Sequence, residues 1–148
     1  MLTANLFGGE NTITTAADGA RSVFAADVDG DGDIDALSAS AFDDKIAWYE
    51  NDGNGSFTSH MVTTTADDPF SVFAADVDGD GDMDVLSASH FDDKIAWYEN
   101  NGSESFTPHT ITTTATGARS VFAADVDGDG DMDVLSASFT DDKIAWYE

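Results

Sequence analysis

A period of 49 residues constrains this chain more than any other feature. Ser22–Ser40 reads SVFAADVDGDGDIDALSAS, Ser71–Ser89 reads SVFAADVDGDGDMDVLSAS, and Ser120–Ser138 matches the second copy at every position. The segment DDKIAWYE recurs unchanged at Asp43–Glu50, Asp92–Glu99 and Asp141–Glu148. A repeat of this kind is one supersecondary unit that stacks on copies of itself, because a single unit cannot bury its apolar faces alone. Near-identity between the copies points to very recent duplication or to deliberate engineering.

Each unit reads as four short strands. Ser22–Val28 is rich in β-formers, with Ala25 and Ala26 small enough for a crowded inner position. Ala36–Ser40 alternates Ala or Leu with Ser, the period-2 pattern of a strand. Lys45–Glu50 places Ile46 and Trp48 on one face and Ala47 and Tyr49 on the other. Phe57–Thr65 is a β-branched fourth strand, and Asp52-Gly53-Asn54-Gly55 and Asn101-Gly102 are hairpin signals. No window shows helical periodicity. Four strands in such a period predict an all-β chain of β-propeller blades, three four-stranded antiparallel blades in a single repeat domain over residues 1–148. Blade 1 covers about 21–65, blade 2 about 70–114 and blade 3 about 119–148. Trp48, Trp97 and Trp146 are expected to pack between blades rather than to form an aromatic cage.

The third copy stops at Glu148, after its third strand, and Asn11–Thr15 aligns with His60–Thr64 and His109–Thr113. Residues 2–16 are therefore expected to supply the fourth strand of blade 3. Three blades fall short of the four to eight of known propellers and would leave two apolar faces in water. A homodimer closing a six-bladed ring is the expectation, with a trimer of nine blades as the alternative.

The chemistry concentrates between the first and second strands of each unit. Asp27-Val28-Asp29-Gly30-Asp31-Gly32-Asp33-Ile34-Asp35 recurs at Asp76–Asp84 and Asp125–Asp133, and these loops hold 15 of the 30 acidic residues. Five carboxylates in nine residues repel one another unless a cation joins them. Calcium, a hard ion that takes six to eight oxygens, suits this donor set better than magnesium, which demands octahedral geometry and keeps its waters. Asp27, Asp29, Asp31 and Asp35 are assigned as side-chain ligands, with Asp33 offering its carbonyl. Asp76, Asp78, Asp80 and Asp84 correspond, with Asp82, and Asp125, Asp127, Asp129 and Asp133, with Asp131. The glycine at position six permits the sharp turn, and about three calcium ions per chain are expected. An EF-hand fails, because position twelve is Ser38, Ser87 or Ser136 instead of Glu and the flanks are strands.

With 30 acidic against five basic residues, the net charge of −25 excludes phosphate-backbone binding as a main activity and argues against an anionic membrane surface. No apolar run approaches a membrane span. Absence of cysteine removes disulfides, thiolate zinc sites and a cysteine nucleophile. The first nine residues lack the basic region of a signal peptide, so a mature form, a fragment or an engineered chain is expected.

The strings SVFAADVDGDGDMDVLSAS and KIAWYEN resemble the FG-GAP/VCBS repeats of integrin-like β-propellers over essentially the whole chain. The resemblance implies that the DxDxDGxxD loop joins the innermost strand to the second on one face of the propeller, where calcium rigidifies it. It also implies an extracellular or cell-surface parent protein: an adhesion protein, a carbohydrate-binding protein or an accessory part of a larger one.

The remaining candidates are weaker. His60 and His109 share an outer-strand position, which reads as half-exposed structure rather than catalysis, and no Ser–His–Asp set stands out. Asp43-Asp44 resembles a glycosidase acid pair, but it precedes Lys45 in a triplet that recurs in every unit. Asn54-Gly55-Ser56 and Asn101-Gly102-Ser103 match the glycosylation pattern and equally the hairpin pattern. Differences between copies gather at Arg21, Phe70 and Arg119 and at Ala41-Phe42, His90-Phe91 and Phe139-Thr140, on the face expected opposite the acidic loops. Three classes of function follow: a non-enzymatic calcium-stabilised scaffold, an adhesion or glycan-binding module with a glycan or protein ligand on that variable face, and an accessory domain of a larger secreted enzyme.

Overall fold

The computed structural model describes residues 8–148. Among these residues eleven strands form three antiparallel sheets, and no helix is long and apolar enough to cross a membrane. The first sheet contains β1 (Ala20–Ala26), β2 (Asp35–Ser40), β3 (Lys45–Asn51) and β4 (Phe57–Thr63) in sequence order. The second contains β5 (Pro69–Ala75), β6 (Asp84–Ser89), β7 (Lys94–Asn100) and β8 (Phe106–Thr112). The third contains β9 (Ala118–Ala124), β10 (Asp133–Ser138) and β11 (Lys143–Tyr147).

Strand limits follow from local side-chain hydrogen bonds. The first strand ends at Ala26 because the Asp27 carboxylate accepts from the Gly30 and Gly32 N–H groups at 2.9 and 3.0 Å and turns the chain. β4 ends at Thr63, two residues short of the sequence expectation, because Thr63 Oγ1 accepts from the Thr65 N–H at 3.2 Å and competes with the ladder.

The period-2 pattern decides which face meets which neighbour. Leu37, Ala39, Ile46 and Trp48 of the first sheet interdigitate with Val72, Ala74, Val85, Ala96 and Tyr98 of the second. Leu86, Ala88 and Ile95 of the second sheet repeat this against Val121, Ala123 and Val134 of the third. Trp48 is fully buried between sheets and stacks on His60, ring centroids 4.4 Å apart, as expected of a residue packed between blades, whereas Trp97 is half-buried and Trp146 is exposed. The first strands of the three sheets converge, with Phe24, Phe73 and Phe122 in a row at 4.5 Å spacing. Ser22 Oγ accepts from the Val72 N–H and Ser71 Oγ from the Val121 N–H, both at 3.3 Å, and ties these inner strands together.

The row of sheets is open. Val23 on the free face of the first sheet is 74% exposed, whereas its equivalents Val72 and Val121 are each 4% exposed. At the other end Ile144 is 76% exposed against 0% for Ile46 and Ile95. Among the described residues the third sheet has three strands, not the four expected, since residues 8–19 form no strand and do not pair with β11. The Ala16 carbonyl instead accepts from Lys45 Nζ at 2.9 Å, which holds the N-terminal segment beside the first sheet. Thr65 and Thr114 lie against Lys94 and Lys143 in the same way, so this segment arrives at the first sheet as each linker arrives at the sheet that follows it. Residues 1–7, part of the expected fourth strand, lie outside the described residues.

Replacing a large side chain at a sheet-to-sheet contact opens a cavity. Trp48→Ala is expected to cost about 3–5 kcal/mol in chemical denaturation, and Ser22→Ala about 1 kcal/mol.

Candidate metal centre

Each acidic loop is folded by its own carboxylates. Asp29 Oδ1 accepts from the Asp31 N–H at 3.1 Å, and Asp31 Oδ1 accepts from the Asp33 N–H at 2.8 Å. These short-range turns curl the chain so that its first, third and ninth residues converge. One carboxylate oxygen from each of Asp27, Asp29 and Asp35 falls within a 4.8 Å set, and Asp76, Asp78 and Asp84, and Asp125, Asp127 and Asp133, form the same set. Two oxygens bonded to one calcium lie at most about 5 Å apart, so these sets fit a single calcium ion.

The remaining sequence-assigned residues are placed differently. Asp31 and Asp80 stay outside the sets, while Asp129 joins Asp127 and Glu148 in a fourth one. The Asp33 and Asp82 carboxylates face the turn between the third and fourth strands, against Gly53 and Gly102. A Cβ at Gly53 would collide with the Asp33 carboxylate, and its φ of 70° favours glycine in any case. The Asp33, Asp82 and Asp131 side chains are absent from the convergent sets.

Asp35 does two jobs. Its Oδ2 accepts from the Val28 N–H at 2.9 Å and its Oδ1 from the Asn51 N–H at 2.8 Å, so one carboxylate joins the loop to the end of β3. Asp84 repeats this with Val77 and Asn100. Burial pushes the Asp35 carboxyl above the ordinary range, with Asp31 and Asp27 adding to it against the two backbone hydrogen bonds. Asp84 is raised for the same reason, and burial also raises Asp29, with Asp35 and Asp31 contributing. Like charges held this close are what a divalent cation neutralises.

Asn51 and Asn100 were not anticipated. Asn100 Nδ2 donates to the Val28 carbonyl of the preceding loop and to the Met83 carbonyl of its own, both at 3.1 Å, and so connects neighbouring loops. The signal was present in the asparagine that follows DDKIAWYE in the first two units.

The other candidates are occupied in holding the fold. Asp43 pairs with Lys45 at 2.7 Å, and Asp44, in the left-handed region at φ 52°, accepts from the Asp68 N–H at 3.1 Å. His60 Nε2 lies 2.8 Å from Glu50 and His109 Nε2 lies 2.7 Å from Glu99, each ring stacked on a tryptophan. The variable residues do meet on the side remote from the acidic loops: Arg21 and Arg119 both lie over Phe70, and His90 packs between Phe70 and Phe91.

Stacked antiparallel sheets, each with one carboxylate-rich loop between its first two strands, define a repeat scaffold with one candidate cation site per unit. The FG-GAP-like repeat model matches residues 27–87 and again 76–136, and the chain belongs to that family. Comparison with curated proteins found no match.

Calcium titration by calorimetry should give about three sites per chain, and Asp127→Ala should leave about two. With chelator present, folded Asp35 and Asp84 keep their protons to higher pH than they do in the unfolded chain. Stability should then fall as pH rises through and above the ordinary carboxylate value of 3.8. Calcium binds the ionised form and should reverse that slope, adding about 2.7 kcal/mol per site at 100 times its dissociation constant. Denaturation midpoints between about pH 4 and pH 7, with and without calcium, measure both signs.

Proposed function

We propose that this chain is a non-enzymatic, calcium-stabilised scaffold that assembles with itself, two copies closing a six-bladed β-propeller ring. The observation that carries the reading is the contrast in exposure between identical residues. Val23 and Ile144 are open to solvent while their equivalents inside the row are buried, and Trp146 is exposed where Trp97 is half-buried and Trp48 fully buried. The free face of the first sheet therefore has the composition of the faces that Val72 and Val121 occupy, and the free face of the third has that of the faces around Ile46 and Ile95. The two ends are halves of an interface that the chain already forms twice. Burying one large aliphatic side chain contributes about 1.5–3 kcal/mol, so several such residues at each junction favour association strongly.

The N-terminal segment supports the same arrangement. It runs beside the first sheet and borders a groove over that sheet's free face, lined by Asn11, Ile13, Val23, Leu37, Ser38 and Tyr49. A third sheet from a second copy, entering this groove, would meet residues 11–15 as its missing fourth strand. A trimer would give nine blades, outside the usual range.

The absence of catalysis is part of the proposal. Its support is that the recurring carboxylates are engaged in turns, ion pairs and loop closure in each unit. Calcium at the concentrations outside cells suits loops of this type, which favours an extracellular or cell-surface parent protein. Glycan or protein binding on the variable face is the second reading, favoured by exposed Phe42, Phe91 and Phe139.

Light scattering in calcium buffer should give twice the chain mass of 15.6 kDa. A monodisperse single-chain mass rejects ring closure. Ile144→Ala should cost about as much as Ile95→Ala, roughly 2–5 kcal/mol, where the junction is buried, and little where it is not.

A further inference from the structure

In a molecule of net charge −25 there are two arginines, and the fold brings both to one ring. The Arg21 guanidinium lies 3.9 Å from the Phe70 centroid and that of Arg119 4.8 Å from it. Arg119 also lies 4.3 Å from the Phe139 ring. Positions 21, 70 and 119 are one position of the repeat, near the start of β1, β5 and β9, at the ends of these strands remote from the acidic loops.

The two guanidinium groups differ in what balances them. Arg21 Nη2 donates to Asp68 Oδ1 at 3.1 Å, and Asp68 is buried. Arg119 forms no ion pair among the described residues. Asp68 belongs to the unit that follows Arg21, so the matching acid for Arg119 would come from a fourth unit. In a closed ring that unit is the first sheet of a second copy, and the residue one repeat before Asp68 is Gly19. Gly19, Asp68 and Gly117 share the same left-handed backbone, with φ of 67°, 51° and 68°. The equivalence is structural as well as numerical, and glycine brings no carboxylate. Asp18 does not replace it, because its equivalent Asp67 makes no ion pair with Arg21.

We propose that Arg119 anchors a carboxylate-binding site on the face opposite the acidic loops, where an external organic carboxylate takes the place that Asp68 takes at Arg21. The proposal rests on the ring reading for the second wall of the site, while Arg119, Phe70 and Phe139 lie within one chain. The internal Arg21–Asp68 pair shows which anion the position accepts. Phe139 is exposed, and Phe42, which lies against Gly19, is exposed as well. These rings fit a ligand whose carboxylate is carried on a flat or ring-shaped carbon body, an aromatic acid or a sugar acid. Apolar walls reduce competition from water, and charge-assisted hydrogen bonds to a guanidinium are the strong ones.

The test is an NMR titration of the full chain in calcium buffer with sodium benzoate and with sodium glucuronate, against benzyl alcohol and glucose as neutral partners. Benzoate or glucuronate should shift the Arg119 side-chain signal and the Phe139 ring signals, and which of the two binds more tightly identifies the body. Arg119→Gln should weaken binding roughly tenfold or more. Gly19→Asp, with the flexible Phe42 ring moving aside, should fill the site from the neighbouring copy and abolish binding. Binding that is lost in Arg119→Gln but intact in Gly19→Asp supports the site and rejects the ring. Equal binding of the neutral compounds, equal binding by Arg119→Gln, or no binding of either carboxylate overturns the site, whatever mass light scattering reports.

Discussion

Burial of one sheet face against the next is the interaction on which the rest of this structure depends. Leu37, Ile46 and Trp48 are fully excluded from solvent only because the second sheet covers them. Each sheet is four strands or fewer and has apolar residues on both faces, so none has a core of its own. Stability in such a row is a sum of unit terms and nearest-neighbour terms, and the neighbour terms dominate. The hydrogen bonds between units serve the same contact. Ser22 and Ser71 link the inner strands, Asp44 and Asp93 hold the start of the following unit, and Asn100 links adjacent loops.

The acidic loops work against this packing until they are neutralised. Asp35 and Asp84 are placed at the buried ends of their hairpins, where their carboxylates satisfy backbone N–H groups of two different elements. That placement braces the junction between loop and sheet, and it also concentrates negative charge where solvent is scarce. A cation bound by the first, third and ninth residues removes the repulsion and keeps the brace. An ion held there would be coupled to the core through two residues in each of the first two units, the ninth loop aspartate and the asparagine that ends the third strand.

Much of this was legible in the sequence, for reasons that can be named. Alternation at Lys45–Glu50 sorted Ile46 and Trp48 from Ala47 and Tyr49, and the structure places those pairs in different clusters. Spacing in Asp27–Asp35 pointed to convergence of the first, third, fifth and ninth carboxylates, and the structure brings together the first, third and ninth. What spacing did not reveal is which oxygens are spent on the backbone. The Asp31 turn and the Asp35 brace depend on φ and ψ inside the loop, and Asn100 acts across 72 residues of sequence. The third sheet stopped at three strands because an aligned segment states which strand it resembles, not which edge it can reach. Lys45 binds Ala16 and keeps that segment at the opposite end of the row from β11.

Near-identity of the units turns the chain into its own control. Val23 and Val72 share the sequence Ser-Val-Phe-Ala-Ala and each lies in a four-stranded sheet, so their difference in exposure reports the adjoining sheet, whereas Ile144 lacks both an adjoining sheet and the fourth strand on which Ile95 pairs with Thr112. The two arginines share the local sequence Ala-Arg-Ser-Val-Phe but not their surroundings: Arg21 pairs with Asp68 of the following unit, while Arg119 lies over Phe139 where the first unit has Ala41. Properties that a single domain blends together, intrinsic strand preference and the worth of a neighbour, are thereby resolved position by position. An array built this way is sensitive to its ends. Its interior contacts are repeated, whereas each terminal face presents apolar side chains such as Val23 and Ile144 that an adjoining unit would cover.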